Sequence, residues 1–339
     1  MNSHLDILTS LSGQKITAIE QWETFRRPEI LNLFQVYEFG IRPMERPHDL
    51  HFEIVSNQDN YLGHPLTRTD VNICFLGYHF PVELYIPMGV KGPCPAFVFP
   101  ENESYMNRTD RSVNLDETHL PISEITARGY AVAVMPVHYV SPDWKHNTQY
   151  KKGVFGAIQP DTSLRTDSSW ATISAWAWGC SRVLDYFETD IRIDHTKAIV
   201  IGHSRGGKTA LWAGATDRRF AMVVDNSSGC SGAAYTRGKK GEHIVDINIS
   251  DWFCGNYHKY DNNEDMLPFD QHMLLALIAP RPLYVKSDLL DEWADPDATV
   301  KSVRLASAAY ELYGKTGAVL PEEIECRSEE HTSELQSPS

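Results

Sequence analysis

Ser204 stands in the pentapeptide Gly202-His203-Ser204-Arg205-Gly206, and the residues on either side give that spacing a chemical meaning. Ile199-Val200-Ile201 before it is a short β-branched run, and 209–215 after it are helix formers alternating small and bulky. The pattern predicts a strand, a sharp turn and a helix. A serine on such a turn has backbone angles few residues tolerate. Glycine at 202 and 206 removes the Cβ atoms that would collide where strand and helix close up. Ser204 is therefore the predicted nucleophile. Its Oγ would stand above the sheet edge, at a helix N-terminus whose unpaired N–H groups and positive dipole end favour a developing oxyanion.

A hydroxyl nucleophile needs a base, an acid that orients the base, and oxyanion donors. The acid is expected just past the strand predicted over 281–286, where 287–296 reads SDLLDEWADP. Asp291 is the first choice, with Asp295 and Asp288 behind it; the competing role, most natural for Asp295, is to cap the helix that begins near Asp297. The expected oxyanion donors are the Arg205 N–H and a group from the loop after Phe99, which holds Glu101 and Asn102. Lys208, one helical turn past Ser204, can face the same pocket or, like an ordinary helical lysine, the solvent. His203 reads as structural, and Trp170, Trp176 and Trp178 read as core. Asp261, Glu264 and Asp265 read as a solvated turn rather than a metal loop.

The elements that must position these groups follow from periodicity. Residues 5–38 carry Trp22, Phe25, Leu31, Phe34 and Tyr37 near helical spacing, with Pro28 as a boundary, and predict a cap over a sheet. Short alternating runs at 52–55, 71–75 and 82–86 suit antiparallel strands at one sheet edge. Unbroken apolar runs at 95–100, 130–135, 197–201 and 281–286 suit parallel strands covered on both faces. Helices are expected between them, one over 170–188 capped by Ser168 or Ser169, another over 294–313. Strands alternating with helices indicate a mostly parallel α/β sheet. The polar stretches 141–166 and 231–263 would lie beyond strand ends, as pocket walls.

With 339 residues and 42% hydrophobic content the chain can bury one large α/β core. A net charge of -14 argues against nucleic acid and anionic membrane as partners, since both would repel it. No apolar run approaches the roughly 20 residues of a membrane span. The first residues lack a basic stretch followed by an apolar one, so the chain as written reads as cytoplasmic. Six cysteines show neither a disulfide-scaffold density nor the CxxC pairs of a zinc site, so no metal is expected. A Cys230–Cys254 bridge remains open.

Five segments together resemble carbohydrate esterase family 15, the glucuronoyl esterases, in its bacterial branch. They are 168–190 (SSWATISAWAWGCSRVLDYFETD), 202–215 (GHSRGGKTALWAGA), 226–234 (NSSGCSGAA), 267–285 (LPFDQHMLLALIAPRPLYV) and 291–296 (DEWADP), and the likeness spans about 95–314. The resemblance implies an α/β-hydrolase fold. It also implies cofactor-free cleavage of esters joining 4-O-methyl-glucuronic acid on xylan to lignin alcohols, through an acyl-enzyme. It makes Ser204 the nucleophile and Arg205 an oxyanion contributor, and it matches Lys208, Glu242 and Trp293 to positions that contact the uronic sugar. Some relatives carry the triad acid soon after the elbow helix; here 226–229 reads NSSG, without a glutamate, which leaves Asp291. Family members usually carry a signal peptide. Two other readings stay open: an acetylxylan or short-chain carbohydrate esterase, and a uronic-acid-binding module without turnover.

In this fold the triad histidine follows the last strand. Residues 315–326 contain no histidine, and His331 falls in 327–337 (RSEEHTSELQS), which resembles one reading frame of a sequencing-library adapter. Residues 1–326 are thus expected to form a single domain that stops before its last strand and catalytic histidine, with 327–339 as a non-native tail. Turnover by this chain is expected to be nearly lost.

Overall fold

The computed structural model describes residues 5–102, 120–143, 149–248 and 251–324. Among these, the strands are β1 (His51–Asp59), β2 (Leu66–Phe75), β3 (Tyr78–Pro87), β4 (Cys94–Glu101), β5 (Ala131–Pro136), β6 (Ile193–His203), β7 (Met222–Asn226), β8 (Leu283–Asp288) and β9 (Val319–Ile324). They form one sheet in the order β1-β2-β3-β5-β4-β6-β7-β8-β9. The first three strands pair antiparallel with one another, and β3 pairs antiparallel with β5. From β5 onward every pair is parallel. Composition explains the division. β5 reads Ala-Val-Ala-Val-Met-Pro and is buried along its whole length, as a strand with helices on both faces must be. β1 is almost wholly exposed and mixes polar residues with the apolar Phe52, Ile54 and Val55.

The helix Thr172–Phe187 is buried throughout, and Trp170, Trp176 and Trp178 are fully enclosed, in accord with their reading as core. The Trp176 indole N–H donates to the Ser141 carbonyl at 2.9 Å and that of Trp178 to the Glu45 carbonyl at 2.7 Å, so neither ring buries an unpaired donor. Neither Ser168 nor Ser169 caps this helix. Its N-cap is Ala171, with no side-chain cap bond, and Ser169 Oγ instead accepts from the Thr166 N–H at 2.8 Å. Complete burial of the first turn leaves its stability to packing rather than to a cap.

Two further expectations change. The N-terminal segment rests on the helix layer, not directly on the sheet: Phe39 stacks on Trp212 at 4.3 Å, and Arg27 donates to the Ala215 carbonyl at 2.8 Å. A strand does follow the Pro296–Leu312 helix. β9 pairs with β8 from Leu283↔Val319 to Asp288↔Ile324, which corrects the expectation that the domain stops before it. Val319-Leu320-Pro321-Glu322 hid it, because a proline and acidic residues mark an edge strand and erase the apolar run of a buried one. Cys230 and Cys254 are free and buried, so they form no bridge. Cys326 and His331 lie outside the described residues.

Candidate active site

The sheet brings the ends of three strands together. Gly202 and His203 at the end of β6 pair with Asp225 and Asn226 of β7, and Asn226 pairs with Lys286 of β8. Beyond β6 the chain turns on Ser204, at φ 54° and ψ -125°, directly into the helix Arg205–Thr216. Positive φ at a non-glycine costs on the order of 1–3 kcal/mol and persists only where the surroundings impose it. Here they do. The Ser204 N–H donates to the Asn226 carbonyl at 2.9 Å, and its carbonyl accepts from Gly207 and Lys208 at 2.8 and 3.1 Å. A Cβ on Gly202 would lie 2.0 Å from the Gly206 carbonyl oxygen, and one on Gly206 would lie 3.1 Å from both the Pro100 carbonyl and Asn102 Oδ1. Both glycines thus have the role expected of them. Ser204 is half-buried, with the helix N-terminus beside it.

Arg205 is held on three sides. Its Nη2 donates to the Asn102 carbonyl at 2.9 Å, its Nε lies 2.6 Å from Asp143 Oδ2, and its guanidinium lies 5.7 Å from the Trp252 ring centre. Trp252 in turn donates from Nε1 to Asp143 Oδ1 at 2.6 Å. Asp143 and Trp252 come from the two polar stretches expected to wall the pocket, yet neither was singled out: a lone acid and a lone aromatic in a loop carry no spacing signal.

Lys208 turns inward rather than to solvent. It is 2% exposed, donates from Nζ to the Ser228 carbonyl at 2.6 Å, and stands 3.5 Å from Glu242 Oε2. Its Nζ is 5.9 Å from the same Trp252 ring that faces Arg205. The other Glu242 oxygen accepts from Trp293 Nε1 at 3.3 Å, and the Trp293 side chain stays 44% exposed. Lys208, Glu242 and Trp293 therefore form one bonded chain leading from the elbow helix to an open indole.

The loops bearing Glu242 and Trp293 are joined through backbone as well. The Glu242 N–H donates to the Trp293 carbonyl at 2.9 Å, and the Lys240 N–H donates to Asp295 Oδ2 at 2.5 Å. Asp295 also accepts from Ala298 at 3.0 Å as N-cap of the Pro296–Leu312 helix, so its carboxylate is committed to backbone donors. Asp291, 7% exposed, lies in the turn after β8 and accepts from the Ala294 N–H at 3.0 Å; Asp288 accepts from Leu290 at 2.9 Å. His203 is half-buried beside the elbow. Glu264 accepts from His243 Nδ1 and from the Ile244 N–H, and Asp261 accepts from Asn248, so these acids are hydrogen-bond acceptors in a loop.

One buried carboxyl under the site was not foreseen. Asp225 of β7 is fully enclosed; burial pushes its pKa up to about 7, against the opposing pull of the Ser228 hydroxyl and of Lys208. Ser228 Oγ donates to Asp225 Oδ2 at 2.8 Å, and a Cβ on Gly207 would come within 2.3 Å of Oδ1. The carboxyl thus fits against bare helix backbone one turn below the nucleophile.

The family model described as glucuronyl esterase, fungi, matches residues 78–314. A prokaryotic protein named carbohydrate esterase MZ0003 is 34% identical, over 92% of this chain and 79% of its own length. The chain belongs to the glucuronoyl esterases, carbohydrate esterase family 15. The 4-O-methyl-glucuronoyl methylesterase of Schizophyllum commune is 28% identical over 91% of this chain and 73% of its own. A glucuronoyl esterase from Solibacter usitatus superposes with a TM-score of 0.86 at 32% identity, covering 95% of this chain and 92% of that one. This glucuronoyl esterase is thus a carboxylic ester hydrolase on an α/β-hydrolase fold. Among its described residues no helix is long and apolar enough to cross a membrane.

Proposed function

We propose that this active site is built to cleave esters of 4-O-methyl-glucuronic acid borne on xylan, releasing a lignin-type alcohol, with Ser204 as nucleophile. The observation that carries the reading is the strained elbow at Ser204, with an inward-facing cation one helical turn further on. Ser204 Oγ attacks the glucuronoyl carbonyl, the alcohol leaves, and water hydrolyses the acyl-enzyme. The Arg205 side chain, fixed by Asp143, Asn102 and Trp252, adds positive charge to the helix N-terminus where the oxyanion develops. Lys208 and Glu242 bind the uronic hydroxyls, and the open face of Trp293 covers the sugar ring. Asp291 is the acid that would orient the acid–base histidine, which in this fold follows the last strand.

The test is hydrolysis of benzyl glucuronate beside an acetyl ester, by this chain and by one in which a relative's histidine-bearing C-terminus replaces the residues after 326, each beside its Ser204→Ala variant. Uronate cleavage abolished by the substitution is the expected result. Cleavage of the acetyl ester alone would overturn the substrate assignment, and turnover untouched by Ser204→Ala would overturn the nucleophile.

A further inference from the structure

The antiparallel end of the sheet carries a side-chain cluster with no part in ester cleavage. Register sets His51 of β1 directly across from Cys74 of β2, and Cys74 directly across from His79 of β3. Directly paired residues share a face, so three metal-ligating side chains stand in a row across three strands. Glu53, two residues beyond His51, lies on that same face. The intervening residues Ile73, Phe75 and Phe80 point into the core, which leaves the row on the sheet's outer face, with His51, Glu53 and His79 exposed and Cys74 buried between them. Ligand atoms of His51, Glu53 and Cys74 already lie within 4.8 Å of one another. Metal–ligand lengths of about 2.0–2.3 Å place tetrahedral ligand atoms roughly 3.3–3.8 Å apart, a small side-chain rotation away.

A second observation concerns the imidazole. His51 Nδ1 lies 2.9 Å from the Asp49 carbonyl oxygen, which can only accept, so Nδ1 carries the proton. Nε2 then keeps its lone pair and points toward the cluster, 3.9 Å from Glu53 Oε1. A backbone carbonyl behind one ring nitrogen is the usual way a metal-binding histidine is held in one tautomer.

We propose that His51 Nε2, a Glu53 carboxylate oxygen and Cys74 Sγ bind one divalent transition ion of the zinc class, with His79 able to swing in as the fourth ligand. Thiolate and imidazole favour such an ion over calcium or magnesium. On binding, the Cys74 S–H bond breaks, its proton goes to solvent and a sulfur–metal bond forms, with no change of oxidation state. The ion ties β1 to β2 and, through His79, to β3. These strands are separated from β6 by β5 and β4, so the bound ion leaves the ester chemistry untouched. Sequence spacing missed the site because its ligands meet through strand register, not through a local CxxC.

Metal-free full chain is titrated with Co2+ and, separately, with Zn2+ by calorimetry, beside the Cys74→Ser and His51→Ala variants. The expected result is a thiolate-to-cobalt charge-transfer band in the parent that Cys74→Ser abolishes, with one proton released per ion. Zn2+ binding should weaken by about tenfold or more in either variant, at or above the scale on which outer-shell partners matter. Exposed His51→Ala guards against misfolding, its Tm in EDTA matching the parent. Absence of the band in the parent, or equal Zn2+ affinity in parent and His51→Ala, overturns the proposal.

Discussion

Replacing Lys208 by glutamine separates its charge from its hydrogen bond. The amide can still donate to the Ser228 carbonyl, which accepts from Lys208 Nζ at 2.6 Å, but the positive charge 3.5 Å from Glu242 is gone. A hydrogen bond to a charged group contributes about 1.5–3 kcal/mol. If that interaction is made with the sugar of a uronate ester, kcat/KM falls by about 10- to 150-fold. An acetyl ester, which places no sugar against Lys208, should change by no more than about twofold. Stability must be followed alongside, because removing one partner of a buried ion pair costs about 3–5 kcal/mol through the charge left behind. Glu242→Gln in the same chain removes that residual charge. The double variant should recover most of the lost Tm while its uronate kcat/KM stays low. Equal losses on both esters, or recovery of uronate cleavage together with Tm, would refute a sugar-binding role for Lys208.

Asp225 gives a pH prediction. Its folded pKa, raised from 3.8 to about 7, makes its contribution fully present below about pH 4 and lost as pH rises through 7. Asp225→Asn, which still accepts from Ser228, should therefore gain on the parent by about 2–3 kcal/mol between pH 5 and pH 8, read from urea midpoints; parallel curves would place the pKa elsewhere. Gly202→Ala puts a Cβ 2.0 Å from the Gly206 carbonyl, backbone that can yield only if the helix lifts off the strand. It should cost about 3 kcal/mol or more by denaturant titration, and a loss below about 1 kcal/mol would mean that the close approach is not rigid.

Local covalent demands were readable from sequence, and long-range placement was not. The elbow was readable because glycine at 202 and 206 answers a steric requirement within five residues, and the tryptophan core because its three indoles stand in one long, largely apolar run. Glu242 and Trp293 were found only through the family resemblance: 51 residues separate them, and their bond depends on two loops meeting in space. Asp143, Trp252 and Asp225 were missed for the same reason. A buried carboxyl on an apolar strand looks like any polar interruption until its neighbours are known. The missing side-chain cap before Thr172 and the proline in β9 show packing overriding propensity at an element's ends.

The lacing of the 240–242 segment to the turn after β8 has a consequence for engineering. With Lys240 bonded to Asp295, Glu242 to the Trp293 carbonyl, and no room for a Cβ on Gly241 against Glu292 and Trp293, the two loops share one set of coordinates. Grafting either loop alone from a relative would carry over half of an interlocked joint. Exchanged as a pair, they would transplant as a cassette, with the foreign pocket wall still in step with the strand that leads to Asp291.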